Sequence, residues 1–242
     1  MDRAFAFEIE VPTMKNTPHD PVAMLQQLIR CPSVTPHEAG VLTLLQGWLQ
    51  SSGFACERIT FSDKDTPDVD NLFARIGTGG PHFCFAGHTD VVPQGDESIW
   101  SSPPFAADIR DGQVWGRGAT DMKGSVAAFA AAAMDFVRER PAFKGSISFL
   151  ITNDEEGPAI NGTVKVLDWM KARGSVPDHC LVGEPSCAEA LGDTIKIGRR
   201  GSLSFVVQVD GKQGHSAYPH KADNPVPKLA RLVDRLAQRK LD

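Results

Sequence analysis

Short apolar runs alternate with helical stripes along residues 20–182, and this alternation constrains the fold more than any other feature of the sequence. The apolar runs predict strands at about 55–61, 71–76, 82–86, 146–152 and 179–182. The stripes predict helices at about 39–52, 125–138 and 164–172, and one that begins at Asp20-Pro21 with Val22, Leu25, Leu28 and Ile29 inward. Strands that alternate with helices are typical of an α/β sheet that carries helices on both faces.

The pattern changes after Gly198, where apolar and polar residues alternate one by one. The apolar face of this predicted strand is formed by Leu203, Phe205, Val207 and Val209. Such alternation indicates a half-buried strand of an antiparallel sheet. A helix is predicted after it, at about 224–239. Because one strand and one helix cannot bury a two-sided core, this stretch is interpreted as the start of a second, smaller α+β domain.

Composition and charge argue against several classes of partner. The net charge is -5 and 23% of the residues are charged, so neither nucleic acid nor an anionic membrane is expected. No apolar run approaches the length of a membrane span. The first twenty residues lack the basic start and apolar core of a secretory signal, which predicts a cytoplasmic protein.

The five cysteines are odd in number and include no Cys-x-x-Cys pair. This spacing indicates neither a disulfide framework nor a zinc site built from thiolates. Cys84 and Cys180 lie inside apolar strand-like runs and are predicted to be small core residues. All five are therefore interpreted as structural.

Four polar clusters stand directly after a predicted strand or at the start of a predicted helix. They are GHTD (87–90), GATD (118–121), DEE (154–156) and GEPS (183–186). Because ligands of open α/β sheets bind beyond the carboxyl ends of the strands, we expect these clusters to converge at one edge. One imidazole and several carboxylates at one place need a positive charge among them. A divalent metal, or a pair of metals, would supply that charge.

The ligand types indicate which metal is expected. Histidine and carboxylates without thiolates favour a catalytic zinc, or a metal of similar character, over a structural zinc. Each cluster alone also has an ordinary structural interpretation. These are His88 as a satisfied polar residue, Asp121 as a helix cap, Glu155-Glu156 as a solvated loop and Glu184 as a strand exit. The four clusters together favour the metal site.

Four sequence blocks resemble the signature motifs of the M20 metallopeptidase family. They are GHTDVVP (87–93), GRGATDMKG (116–124), TNDEEGPAINGT (152–163) and VGEPS (182–186). Two later blocks, LGDTIKIGRRGSLS (191–204) and GKQGHSAYPH (211–220), narrow the resemblance within the family. The resemblance implies a zinc-peptidase-like mixed sheet followed by the start of a dimerisation domain. It divides the chain into an N-terminal extension (1–19), a metal-binding catalytic domain (20–200) and the beginning of the dimerisation domain (201–242).

The resemblance also implies roles for the residues of the four clusters. His88 and Glu184 become ligands of one metal, and Asp121 becomes the bridge to both metals. Glu156 becomes a ligand of the second metal, and Glu155 the general base. The implied cofactors are two Zn²⁺ ions, with Co²⁺ as an alternative in one site.

Four further assignments follow from the same resemblance. Asp90 is expected to orient the imidazole of His88, which agrees with the usual support of a ligating histidine by a carboxylate. A cis peptide is expected between Asp121 and Met122. His215 is expected to reach the active site of the partner subunit in a homodimer and to stabilise an oxyanion there. The expected substrate contacts are Arg199, Ser202 and Tyr218.

The later blocks narrow the implied activity to amide hydrolysis of N-succinyl-diaminopimelate, a small-molecule substrate. Deacylation of acetylornithine or another acylated amino acid is the alternative within the family. Members of the family extend further and supply one more histidine ligand, so a truncated chain that binds metal without turnover is also considered. A nucleotide-binding domain is rejected, because Gly116-x-Gly118 lacks the third glycine and Asp121 would repel phosphate.

Overall fold

The computed structural model describes residues 19–198, Gly201 and residues 204–239. The chain divides after Asp193 into two compact units. The helices are α1 (Pro21–Ile29), α2 (Val41–Ser51), α3 (Gly124–Glu139), α4 (Thr163–Ala172) and α5 (Val226–Ala237). The strands are β1 (Ala55–Asp63), β2 (Thr66–Thr78), β3 (His82–His88), β4 (Asp108–Arg110), β5 (Gln113–Trp115), β6 (Gly145–Thr152) and β7 (His179–Val182).

The first unit is built on a mixed five-stranded sheet in the order β1-β2-β6-β3-β7. Strand β2 pairs antiparallel with both β1 and β6, whereas β6 and β7 both run parallel to β3. Every strand predicted within this unit is present, and the predicted mixed α/β sheet is confirmed. Three parallel strands therefore direct their carboxyl ends to the same edge.

Helices cover both faces of this sheet, as predicted. One face is covered by α1, α2 and α3, whose buried residues include Leu28, Leu45 and Met134. The other face is covered by α4, through Val166 and Met170. Strand β6 lies between the two layers, which explains why its sequence is apolar on both faces rather than alternating.

Helix α1 begins as its sequence predicts. The side chain of Asp20 accepts a hydrogen bond from the main-chain N–H of Val22 at 2.9 Å, and Pro21 occupies the first helical position. The predicted inward face is wrong at one position, because Val22 is exposed. Met24 is buried instead, and it lies one turn before Leu28 on the same face.

A short hairpin, β4–β5, was not predicted. Its turn consists of Asp111 and Gly112, which have φ angles of 51° and 75°. Positive φ at both central residues is typical of the two-residue hairpin turn that Asp-Gly favours. The Asp111-Gly112 dipeptide was therefore the sequence signal for this hairpin. The strands beside it have three residues each, which is too few to show an alternation of apolar and polar residues.

The predicted strand at 203–209 is wrong. Residues 204–209, all of them described, form no strand, while Leu203 lies outside the described residues. Phe205 and Val206 are 62% and 96% exposed. A strand requires a hydrogen-bonded neighbour, and within the described part of the second unit the one bridge joins Lys212 to Asp223. The predicted helix is confirmed as α5.

All five cysteines are free thiols. Cys84 is buried as predicted, but Cys180 is exposed, which corrects its interpretation as a core residue. The reason is that β7 is the last strand of the described sheet, and all four of its residues are exposed. Among the described residues, no helix has both the length and the apolar character that crossing a membrane requires.

Candidate metal centre

The sheet register brings the predicted clusters to one edge. His88, the last residue of β3, pairs with Thr152, the last residue of β6. Val182 ends β7 opposite Ala86, so the residues that follow it reach the level of His88. The segments that leave the sheet after these three strands therefore start side by side.

The imidazole of His88 lies at the centre of this edge and is 1% exposed. Its Nε2 lies 3.1 Å from Oδ1 of Asp121, 3.4 Å from Oε1 of Glu184 and 3.9 Å from Oε2 of Glu155. Its Nδ1 lies 2.9 Å from the main-chain oxygen of Asp90. A hydrogen bond from Nδ1 to that oxygen fixes the ring so that Nε2 faces the carboxylates.

Asp121 is carried by a tight turn, Ala119–Lys123, whose backbone is not helical at Asp121 and Met122 and which leads into α3. The peptide bond between Asp121 and Met122 is cis, as predicted. Met122 is fully buried, and its sulfur lies 3.3 Å from the main-chain nitrogen of His88. The turn is thus packed directly against the end of β3.

Lys123 fixes the same turn, and no role had been predicted for it. Its Nζ donates hydrogen bonds to the main-chain oxygens of Leu28 and Cys31 at 3.0 and 2.8 Å. The side chain is completely buried, and this burial lowers the pKa of Lys123 to about 8. The lysine thereby joins the turn that bears Asp121 to the end of α1.

Asp90 has a wider role than the one predicted from the sequence. Its carboxylate lies 3.5 Å from Nδ1 of His88, while its main-chain oxygen is the closer partner of that nitrogen. The same carboxylate accepts the main-chain N–H of Glu155 at 3.1 Å and that of Glu156 at 3.0 Å. Asp90 therefore holds both the imidazole and the start of the acidic loop.

The pKa values of the site reflect burial together with crowding of negative charge. Burial would lower the pKa of His88, but its hydrogen bonds to the Asp90 and Glu184 carboxylates prevail and raise it to about 11. Burial raises the pKa of Glu155, and the nearby Glu184 carboxylate raises it further. Burial and the Asp121 carboxylate likewise raise the pKa of Glu156. Each shift indicates that the site favours an added positive charge.

Within the part of the chain that the structure describes, two groups of side chains could hold a metal ion. One consists of His88, Asp121 and Glu156, and the other of His88, Glu155 and Glu184. In each group the ligand atoms lie within 4.8 Å of one another. Ligands bound to zinc at about 2.0–2.2 Å would lie roughly 3.4 Å apart, so the observed spacing fits a divalent ion after small adjustments. The nitrogen and oxygen donors also suit zinc and its neighbours.

Four other predicted site residues follow Asp193 in the sequence and so fall outside the first unit. Arg199 and Ser202 lie outside the residues that the structure describes. His215 and Tyr218 belong to the second unit, where both are exposed and their rings lie 5.8 Å apart. The structure thus brings together the predicted residues of the first unit, and the roles of these other four residues stay predictions.

Curated relatives resemble the chain over most of its length. The succinyl-diaminopimelate desuccinylase of Parvibaculum lavamentivorans is 59% identical over 226 residues, which are 93% of this chain and 57% of the relative. The enzyme of the same name from Beijerinckia indica is 58% identical over 219 residues, or 90% of this chain and 57% of the relative. The chain therefore spans about 57% of the length of these relatives.

Solved structures support the fold, and a family model identifies the family. Human carnosine dipeptidase 1 aligns with a TM-score of 0.61 at 23% identity, covering 68% of this chain and 38% of that one. A tripeptidase from Staphylococcus aureus aligns with a TM-score of 0.56 at 16% identity, covering 92% of this chain and 57% of that one. Residues 84–241, more than half of the chain, match the model of peptidase family M20/M25/M40. The chain therefore belongs to peptidase family M20/M25/M40.

Proposed function

We propose that this protein is a metal-dependent amidohydrolase that removes the succinyl group from N-succinyl-LL-2,6-diaminopimelate, in the synthesis of diaminopimelate and lysine. The observation that carries the proposal is the convergence of three carboxylates on Nε2 of His88 at one sheet edge. The names of the most similar curated relatives support the choice of substrate. Acetylornithine or another acylated amino acid is the alternative substrate within the same reaction class.

The proposed cofactors are two Zn²⁺ ions, with Co²⁺ as an alternative in one site. His88, Asp121 and Glu184 would hold one ion, and Asp121 and Glu156 would hold the other. When bound, the metals polarise the amide carbonyl and make water more acidic. The proximity of Glu155 and Glu184 in one of the candidate groups supports a small site in which base and ligands face the same point.

Glu155 is proposed as the general base. It accepts a proton from the water molecule that attacks the succinyl amide carbon, and it donates this proton to the leaving nitrogen as the C–N bond breaks. The products are succinate and the free amine. A carboxylate with a raised pKa suits this exchange, because it holds a proton more readily between the two transfers.

Other proposed roles concern residues outside the first unit or the described residues. His215 would stabilise the oxyanion that develops on the amide, acting across a homodimer. Arg199 would bind a substrate carboxylate through its two-pronged guanidinium group, with Ser202 and Tyr218 as further contacts. A cytoplasmic location belongs to the same proposal.

Metal binding can be tested on the chain itself. We expect His88→Ala to lose most of the tightly bound zinc, because it removes the nitrogen ligand shared by both candidate groups. The matched control is His82→Ala, since His82 is a buried histidine on the same strand, hydrogen-bonded to Ser148. Zinc per chain, measured by atomic emission after dialysis, should fall in the first variant only. A normal zinc content in His88→Ala would contradict the proposed centre.

The reaction is tested by the release of succinate from N-succinyl-LL-2,6-diaminopimelate, with acetylornithine as the competing substrate. We expect Glu155→Gln to retain its zinc and to lower kcat by about 10²–10⁴-fold, because the proton carrier is lost. Glu57→Gln on β1 is the control and should leave kcat unchanged. Near-normal turnover in Glu155→Gln would place the general base elsewhere, and faster hydrolysis of acetylornithine would favour the alternative substrate.

A further inference from the structure

The loop that follows β6 has to keep two adjacent glutamates directed at one imidazole. Its residues 157–160 are exposed and belong to neither a helix nor a strand. Glu155 and Glu156 also repel each other as carboxylates, which favours an open loop. Some other part of the molecule must therefore hold this loop closed.

The near end of the loop is held by Asp90, as described above, and the far end is held by Asp154. Asp154 is 3% exposed, and its Oδ1 accepts the main-chain N–H of Ala159 at 3.1 Å. Its Oδ2 accepts the N–H of Ile160 at 3.0 Å and that of Asn161 at 2.8 Å. Three N–H dipoles directed at one buried carboxylate stabilise its negative charge and close the loop into a ring.

The ring is too tight to admit a side chain at Gly157. A Cβ at this position would lie 2.8 Å from Oδ1 of Asp154 and 2.7 Å from the hydroxyl of Thr35. Ala159 has a φ of 57°, which is unusual for a residue other than glycine. The N–H of this same residue is one of the three that Asp154 binds. The closed loop therefore adopts a backbone that the hydrogen bonds to Asp154 help to maintain.

The far end of the loop is also attached to the sheet. The side-chain amide of Asn161 donates to the hydroxyl of Thr66 and to the main-chain oxygen of Pro67, both at 2.8 Å. These acceptors lie at the start of β2. Asp154 thus links the two glutamates at one end of the loop to a rigid part of the fold at the other.

We propose that Asp154 is a positioning residue that sets the direction of Glu155 and Glu156 toward His88. The inference deepens the proposed function and rests on it, because a change at Asp154 is expected to alter metal binding at the proposed centre. Asp154 itself binds neither metal nor substrate in this proposal. Its effect passes through the main chain of residues 155–161.

The test compares Asp154→Asn with Asp135→Asn. Asparagine keeps the shape of aspartate but replaces one acceptor oxygen with an NH₂ group that faces the N–H donors. Asp135 is a buried carboxylate on α3 and serves as the matched control. Co²⁺ is added to each zinc-free protein, its affinity and visible spectrum are measured, and hydrogen exchange is followed in the peptide that contains Ala159–Asn161.

We expect Asp154→Asn to weaken Co²⁺ binding about 10–100-fold, to change the Co²⁺ spectrum and to speed exchange at Ala159–Asn161. Asp135→Asn should leave all three unchanged. If Asp154→Asn loses stability but keeps wild-type Co²⁺ affinity and spectrum, Asp154 is only structural and the inference is wrong.

A second variant decides the question if Asp154→Asn does not fold. Asn161→Ala releases the same end of the loop from Thr66 and Pro67 while leaving Asp154 in place. It should also weaken Co²⁺ binding, and an unchanged affinity would overturn the inference. A wild-type chain that binds no Co²⁺ at all would instead overturn the metal centre of the proposed function, and the role of Asp154 with it.

Discussion

The two units of the chain contain similar apolar patterns but bury them to very different extents. In the first unit, β6 has a paired strand on each side and a helical layer over each face. In the second, residues 204–209 show the alternation of a strand but, among the described residues, form no strand pairing. An apolar period therefore predicts a strand only where neighbouring backbone is present to complete its hydrogen bonds.

Helix α5 shows the other half of this contrast. It forms as predicted although all of its residues are exposed or only partly buried. The reason is that a helix satisfies its main-chain hydrogen bonds internally, whereas a strand needs another segment. The helix was therefore predicted correctly although the described residues of the second unit include no buried hydrophobic residue, whereas the strand was predicted wrongly.

The largest expected difference between the units is in amide hydrogen exchange. Amides of β6 should exchange only on unfolding of the first unit, whereas residues 204–209 should exchange almost freely. For a stability of about 5 kcal/mol, the two protection factors would differ by at least about a thousandfold. Exchange measured by mass spectrometry checks this difference. Slow exchange at 204–209 would show that a partner strand exists and would break the comparison.

A pair of matched phenylalanines tests how much burial contributes. Phe149→Ala in β6 should lower the free energy of unfolding by about 3–5 kcal/mol, because a fully buried ring is replaced by a cavity. Phe205→Ala, at a site that is 62% exposed, should change it by less than about 0.5 kcal/mol. Urea unfolding followed by circular dichroism measures both. Equal losses would mean that Phe205 packs against a core of its own.

The two units also differ in the burial of lysine side chains, and the effect of a buried lysine on stability depends on pH. Burial lowers the pKa of Lys123 to about 8 in the folded chain, from an ordinary value of 10.5. Between these values the unfolded chain keeps a proton that the folded chain has released, so the free energy of unfolding rises with pH. Between pH 8 and pH 10.5, the free energy of unfolding of the wild type should therefore rise by on the order of 2 kcal/mol relative to that of Lys123→Met.

The control for this pH dependence is Lys228→Met, which removes an exposed lysine of α5 that pairs with Asp223. Its stability should follow the wild-type profile over the same pH range. Unfolding curves at several pH values measure both variants. A constant difference between wild type and Lys123→Met would mean that Lys123 stays charged throughout this range.

Hydrogen bonds at the starts of helices give the smallest predicted difference between the two units. Asp20→Ala should destabilise the first unit by about 1 kcal/mol, because the N–H of Val22 loses its acceptor. Asn224→Ala removes a hydrogen bond at the start of α5, in which the N–H of Val226 donates to the side chain that precedes the cap residue Pro225. All four tryptophans lie in the first unit, so unfolding followed by their fluorescence should respond to the first variant only. A change in the fluorescence-detected unfolding of Asn224→Ala would show that the two units unfold together.

The candidate site was more predictable than its supports. His88, Asp121 and Glu184 could be found because polar residues directly follow apolar strands or precede a helix. The supporting roles of Lys123 and Asp154 were missed because these side chains bind main-chain oxygens and N–H groups, which have no sequence signature. The partners of Lys123 lie at the end of α1, and those of Asp154 lie in the loop after β6. Only the folded chain brings these groups together.

The pairing of His88 with Thr152 has a consequence for how genes of this family can change in length. A codon gained or lost within β3 or β6 would shift one strand past the other and turn its following side chains to the opposite face. His88 and the acidic pair would then emerge on different sides of the sheet. Codons gained in the exposed turn between β4 and β5 would leave the pairing of His88 with Thr152 unchanged. Insertions in descendants of this chain should therefore collect in such turns and be absent from the two strands.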